Sequence, residues 1–167
     1  MNLAIFEPDI PQNTGAMVRI CSCFDVNIDI IHPASFAMSE KSLSRVAMDY
    51  GKNINLTEFD DWKHYEKNRN GRKILLSTKG KLSHYDFEFK ETDNLIVGRE
   101  SAGVPDYVHK QSDQIIRIPM NSSARSLNVA VSSAIVISEA NRQLKLFWNV
   151  KSVSYTHLTL PTSGVGW

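Results

Sequence analysis

The sequence predicts an α/β domain built on a mainly parallel sheet with helices on both faces. Short apolar runs that stop at proline or polar residues recur along the chain, and stretches with helical spacing separate them. Three polar segments, around residues 13–19, 95–105 and 116–128, break this alternation. Widely separated in sequence, they point to one composite pocket.

Each element has a local reason. Leu3 to Phe6 is an apolar run stopped by Glu7-Pro8, as expected of a buried strand entering a loop, and Pro11 to Gly15 opens a helix reaching about Phe24. Val26 to Ile31, closed by His32-Pro33, reads as the second strand. Ser39 can cap a short helix containing Leu43, Val46 and Ala47, and Asn53 to Phe59 alternates polar and apolar residues like a half-buried strand. Asp60-Asp61 starts another helix that ends at Gly71, and three further strands follow at Arg72 to Thr78, Asn94 to Val97 and Gln114 to Ile118. A last helix runs from Ser126 to about Phe147. Its Leu127, Ala130, Val131, Ala134, Ile135, Ile137 and Ala140 leave little polar face, so it needs cover on several sides, from a second copy in a homodimer or from within one chain.

At 167 residues, 42% hydrophobic and 22% charged, the chain fits a single domain with a real core, assigned to residues 1–150. Residues 151–167 are rich in Ser, Thr and Gly and lack the preceding amphipathic pattern, so they are set apart as a non-native or disordered tail. Neither a leader nor a run long enough to span a bilayer is evident, which places the protein in the cytoplasm. Cys21 and Cys23 lie too close together for an easy disulfide and are too few for a zinc site; both are expected to be reduced and buried. A net charge of +1 excludes a polycation. Basic residues nonetheless gather near the loops: Arg19, Lys41, Arg45, Lys79, Lys81, Arg99 and Arg125.

Several chemistries are excluded by motif. Gly98 to Gly103 has the glycine spacing of a phosphate-binding loop, but Val104-Pro105 stands where Lys and Ser or Thr are needed. No dinucleotide fingerprint, nucleophile elbow or zinc-protease motif is present, and the five histidines lack ligand spacing. What remains are run ends rich in Gly, Ser and Asn beside Leu76, Ile118, Met120 and Leu127, a setting for a flat, partly apolar ligand held by main-chain groups. Gly98 and Gly103 either let backbone approach that ligand or are turn glycines. Arg19, four residues after Gly15, shares a helix face with it, so the small residue leaves room for a ligand beside the guanidinium. Glu100 is either a general base or a tether for Arg99, Arg125 or a backbone amide.

Together, Phe6-Glu7-Pro8-Asp9-Ile10-Pro11-Gln12-Asn13-Thr14-Gly15 with Arg19, Lys41, Leu43 and Arg45 followed by Asp49-Tyr50, Thr78-Lys79-Gly80, Gly98-Arg99-Glu100, and Ile116 to Met120 followed by Ser123 and Arg125-Ser126-Leu127-Asn128 form a specific set. Across residues 1 to 147 the chain resembles the SPOUT-class RNA 2′-O-ribose methyltransferases, most closely the branch acting on the wobble cytidine or uridine of tRNA. The resemblance implies a C-terminal trefoil knot, which patterning cannot show, an obligate homodimer, and S-adenosyl-L-methionine as methyl donor without a metal. By matching position it implies donor contacts at Leu76, Thr78, Gly98, Ile118, Met120, Ser126 and Leu127. It puts Arg19, Asn13, Glu100, Ser123 and Asn128 around the reacting ribose, and Lys41, Arg45, Lys79 and Arg125 on the tRNA anticodon stem-loop. Ser101-Ala102 departs from a Thr-Arg pair common in the family, and Ser138 and Asn141 from aromatic residues. A dimeric RNA-binding protein without catalysis, methylation of another RNA position, and a metabolite-binding protein without RNA are the competing readings.

Overall fold

Alternation along the first strand sets the architecture. Leu3 and Ile5 pack with Met17, Val18, Cys21, Ala130, Val136, Ile137 and Ala140, whereas Ala4 and Phe6 pack with Trp62, Tyr65 and Val108. Successive side chains of a strand point to opposite faces, so one sheet separates two cores. The computed structural model describes residues 1–36 and 55–146. In chain order they form β1 (Asn2–Phe6), α1 (Pro11–Phe24), β2 (Asn27–Ile31), β3 (Leu56–Phe59), α2 (Trp62–Asn68), β4 (Lys73–Leu76), β5 (Leu82–Ser83), β6 (Asn94–Val97), α3 (Asp106–Gln111), β7 (Gln114–Arg117) and α4 (Val129–Gln143). Helices α1 and α4 cover one face, while α2 and α3 cover the other.

The strands lie in the order β3-β2-β1-β6-β4-β7-β5, and every pairing among these named strands is parallel. Covered on both faces, a central strand can be apolar throughout, and β6 is buried at all four residues. The edge strand β3 departs from the expected alternation: Leu56 is half-buried, Thr57 and Glu58 are exposed and Phe59 is buried. With a neighbour on one side only among the described residues, its middle residues meet solvent.

At the amino ends of the strands, side-chain amides form a ladder. Asn55 donates to Asn27 at 3.2 Å, Asn27 to Asn2 at 3.0 Å and Asn2 to Asn94 at 2.8 Å. The parallel register that sets Asn2 beside both Asn27 and Asn94 brings these side chains together. On the α2 face, the fully buried Asp29 is paired with Arg69, just beyond the C-terminus of α2. Burial pushes the Asp29 carboxyl up, and Arg69 opposes that shift.

Helix α1 matches its expected bounds and stops where Asp25 adopts a left-handed conformation at φ 52. It packs on α4, with Ser133 Oγ donating to Met17 Sδ at 3.5 Å. Helix α4 is shorter than expected: Asn128 caps it and Leu144 closes it. Two elements were not expected, the two-residue β5 and the six-residue α3, both too short for periodicity to reveal. Cys21 is buried as expected, but Cys23 is exposed, because two residues along a helix is a turn of about 200°. The helix expected after Ser39, with Lys41 and Arg45, and the segment 151–167 lie outside the described residues.

Candidate active site

Strands β4, β6 and β7 end together, because their parallel register aligns Leu75 with both Ile96 and Ile115, and Leu76 with Ile116. Beyond their carboxyl ends lies a cleft of about 560 Å³, the usual position of a ligand site in an open parallel sheet. Leu76 and Thr78 reach it from the end of β4, Gly98 from β6, Ile118 and Met120 from β7, and Ser126 and Leu127 from the approach to α4. Asn13, Lys79, Glu100 and Asn128 line the same cleft. The fold therefore gathers eleven of the expected site residues. It leaves others out: Arg19 is exposed on α1 and does not line the cleft, and Ser123 is exposed, its amide and hydroxyl both donating to Asn121 Oδ1. Arg125 lines an adjoining pocket of about 340 Å³, together with Arg117 and Asn121.

Ser77, His109 and Ser132 also line the cleft without having been singled out from the sequence. His109 was missed with its helix. The available signal was local and not periodic: Pro105 stands at the N-cap of α3 and the acidic Asp106 in its first turn.

The loop after β6 closes on itself. Arg99 and Gly103 exchange backbone hydrogen bonds at 3.2 and 2.8 Å, and Gly103 sits at φ +68. A Cβ on Gly98 would lie 2.4 Å from the Gly103 carbonyl carbon, so Gly98 answers first to its own loop. The loop is no phosphate cradle of the P-loop kind, because α3 begins only at Asp106.

Two acidic residues before α1 hold this loop. Glu7 pairs with Arg99, one of the partners considered for Glu100. Asp9 accepts from the Glu100 amide at 3.1 Å, from the Ser101 amide at 3.2 Å and from the Ser101 hydroxyl. Both Glu100 carboxyl oxygens are buried, with the Asp9 carboxyl and the Asn13 amide beside them. Burial chiefly, and the neighbouring Asp9 carboxylate next, push the Glu100 carboxyl up, while Asn13 pulls it down. Asp9 moves the other way, to about 2, held there by its hydrogen bond with Glu100 and by the donors of Ser101. Asn128 has a dual part: its Oδ1 accepts from the Ala130 and Val131 amides, and its Nδ2 donates to Asn13.

Comparison with known proteins agrees with this architecture. A model of the SpoU rRNA methylase family matches residues 1–138. The chain is 45% identical over 148 residues to a tRNA (cytidine(34)-2′-O)-methyltransferase of Beijerinckia indica, an alignment spanning 85% of this chain and 91% of that protein. A solved structure described as giving insight into the 2-OH methylation of C/U34 on tRNA superposes with a TM-score of 0.81 at 32% identity, covering 86% of this chain and 95% of that one. The SpoU methyltransferase AviRb of Streptomyces viridochromogenes, solved in complex with AdoMet, shares the fold at a TM-score of 0.79 and 21% identity, over 87% of this chain and 60% of that one.

Proposed function

The chain belongs to the SpoU rRNA methylase family, and on that premise we propose that it transfers a methyl group from S-adenosylmethionine to the ribose 2′-hydroxyl of the wobble nucleotide, C34 or U34, in the tRNA anticodon loop. The Beijerinckia relative is named for 2′-O methylation of cytidine 34 of tRNA, and the solved structure at 32% identity for 2-OH methylation of C/U34. The observation that carries the reading is the convergence of the β4, β6 and β7 ends on one cleft, where every residue matched to donor binding is present.

The cleft fits the donor. Its volume of about 560 Å³ falls within the range of roughly 300–1,000 Å³ usual for small-molecule sites. Leu76, Ile118, Met120 and Leu127 offer apolar cover for a flat base, while Thr78, Ser126 and the main chain at Gly98 offer polar partners. Once bound, the donor supplies a methyl group already activated on a sulfonium. The protein's part is then to align the ribose oxygen, exclude water and receive a proton. Asn13 and Asn128, fixed to each other, and Glu100 line the cleft where the ribose is to be held. Arg125 and Lys79, with Lys41 and Arg45, serve the RNA backbone.

Arg19 acts here through a homodimer, reaching a partner's cleft. In support, it is exposed outside its own cleft, and α4 leaves Val131 49% exposed away from the cleft, apolar surface for a second copy to cover. A protonated guanidinium suits holding phosphate and stabilising a developing alkoxide better than removing a proton. The C-terminal part, within a single domain spanning residues 1–150, follows a knotted path. In support, β7 is inserted between β4 and β5, and Gly80 runs so close to β7 that a Cβ would lie 2.7 Å from the Ile116 carbonyl carbon. The activity is cytoplasmic.

The test is direct. Purified protein, S-adenosylmethionine and a tRNA anticodon stem-loop are incubated, and the product is mapped by mass spectrometry. A methyl group on the ribose of nucleotide 34, abolished by a 2′-deoxy substitution there, is the expected result; an unmodified nucleotide 34 sinks the assignment.

A further inference from the structure

We propose that Asp9 is a positioning residue for Glu100: its carboxylate clamps the Glu100-Ser101 segment and so fixes the Glu100 carboxyl in the cleft. The inference deepens the ribose methylation reading and rests on it. Asp9 itself does not line the cleft, whereas Glu100 does.

Three donors converge on the one carboxylate, namely the amides of Glu100 and Ser101 at 3.1 and 3.2 Å and the Ser101 hydroxyl. An ionised acceptor makes such bonds stronger than neutral ones. The neighbouring Glu7–Arg99 pair ties the same two loops together, so Arg99 is engaged with a carboxylate other than Glu100. The segment between β1 and α1 thus holds three consecutive residues after β6. The result is a buried Glu100 carboxyl beside a second carboxylate and the Asn13 amide.

The clamp thus holds a buried acidic group in the wall of the cleft, where Glu100 is a lining residue. Asp9 before α1 and Asn13 on α1 act on it, and Lys79 after β4 and His109 on α3 line the same cleft. Of these, Asp9 is the anionic neighbour that acts on Glu100, and with burial it favours the protonated carboxyl. Removing the Asp9 charge while keeping its shape would loosen the segment and lower the pH at which Glu100 ionises.

The experiment uses the full chain carrying Asp9→Asn, Asp9→Glu or Ser101→Ala. Single-turnover methylation of the anticodon stem-loop is followed from about pH 5 to about pH 9, and the Glu100 carboxyl is titrated by carbon NMR in wild type and Asp9→Asn. Asp9→Asn is expected to keep its fold, to lose about 10- to 100-fold in rate through misplacement of Glu100, and to shift both the pH profile and the NMR titration to lower pH. Asp9→Glu is expected to restore part of the rate. Wild-type rate and pH profile in Asp9→Asn would overturn the clamp, as would an unshifted Glu100 titration. If Asp9→Asn fails to fold, Ser101→Ala decides: a several-fold rate loss at a near-wild-type melting temperature supports the clamp, and an unchanged rate overturns it. Should wild type leave the stem-loop unmethylated, the ribose reading fails, while the NMR comparison still decides whether Asp9 governs Glu100.

Discussion

Asn128 and Asn13 tie α4 to the first turn of α1: the Asn128 amide donates to Asn13 Oδ1 at 3.0 Å while its own Oδ1 accepts from Ala130 and Val131. One side chain therefore caps a helix and shapes the cleft, and substitution can separate the two roles. Asn128→Ala removes both and should cost about 1 kcal/mol as a lost N-cap. Asn128→Asp keeps the acceptor at a helix start that favours negative charge but loses the donor to Asn13. Its denaturation midpoint should stay near wild type while single-turnover methylation falls. Equal activity in Asn128→Asp and wild type would show that the bond to Asn13 is structural only.

Asp29 is fully buried on β2, and Arg69 is its ion-pair partner. Arg69→Ala would leave a buried charge unpaired, which typically costs about 3–5 kcal/mol. Because burial already raises the Asp29 carboxyl, loss of the opposing cation lets the folded state bind a proton more readily. The deficit should therefore shrink as pH is lowered. Adding Asp29→Asn should recover much of it at neutral pH. Urea denaturation of the single and double variants checks this, and a loss under about 1 kcal/mol would class the pair with surface salt bridges.

Much of this was legible in the sequence, and particular residues show where it stopped. Pro11 and the helical spacing of the apolar Met17, Val18 and Cys21 announce α1, and the apolar run ending at Val97 announces a strand buried on both faces. Periodicity could not announce β5 or α3, since two and six residues hold too little of it. At the cleft, the residues standing at strand ends were legible because chain order and parallel pairing bring them together. The fastening of the loop after β6 was not. Asp9 and Ser101 are 92 positions apart, and nothing in either residue type announces a hydrogen bond across that separation. Gly98 carried an ambiguous signal, since a glycine at a strand end serves a ligand or its own loop equally well, and only the packing of Gly103 against it shows the second use.

The Asp9 and Glu100 carboxyls should leave opposite marks on stability. Asp9 is depressed from 3.8 to about 2, so its contribution is present above the unfolded value and is lost as pH falls through the folded one. Glu100 is raised from 4.5, so its contribution is present below that value and is lost as pH rises through its folded value. Glu100→Gln keeps a neutral donor beside Asp9 and removes the second effect. Melting curves from acid to neutral pH should show the variant losing less stability than wild type as pH rises above 4.5. Parallel curves across that range would mean Glu100 ionises in the folded protein much as it does in the unfolded chain.

Gly98 and Gly103 should respond differently to alanine. At Gly98 the added Cβ meets Gly103 backbone at 2.4 Å, so the loop must open. At Gly103 nothing lies within 4 Å and the cost is that of the left-handed conformation at φ +68 alone, about 1–2 kcal/mol. S-adenosylhomocysteine titration by calorimetry should find affinity sharply reduced in Gly98→Ala and largely kept in Gly103→Ala. Equal affinities would separate loop closure from donor binding.

Arg125 lines the adjoining pocket and not the main cleft, so its contribution should appear in RNA affinity and not in donor affinity. If it neutralises one phosphate, Arg125→Ala should flatten the dependence of log affinity on log salt by about 0.7 for a single-stranded contact or about 0.9 for a duplex one. The loss should be nearly uniform across anticodon sequences, because phosphate contacts position without reading bases. Binding of labelled anticodon stem-loops at several salt concentrations provides the slope, with S-adenosylhomocysteine affinity measured alongside. An unchanged slope would remove Arg125 from the RNA-binding surface, whereas a loss confined to particular anticodon sequences would reassign it from phosphate to base recognition.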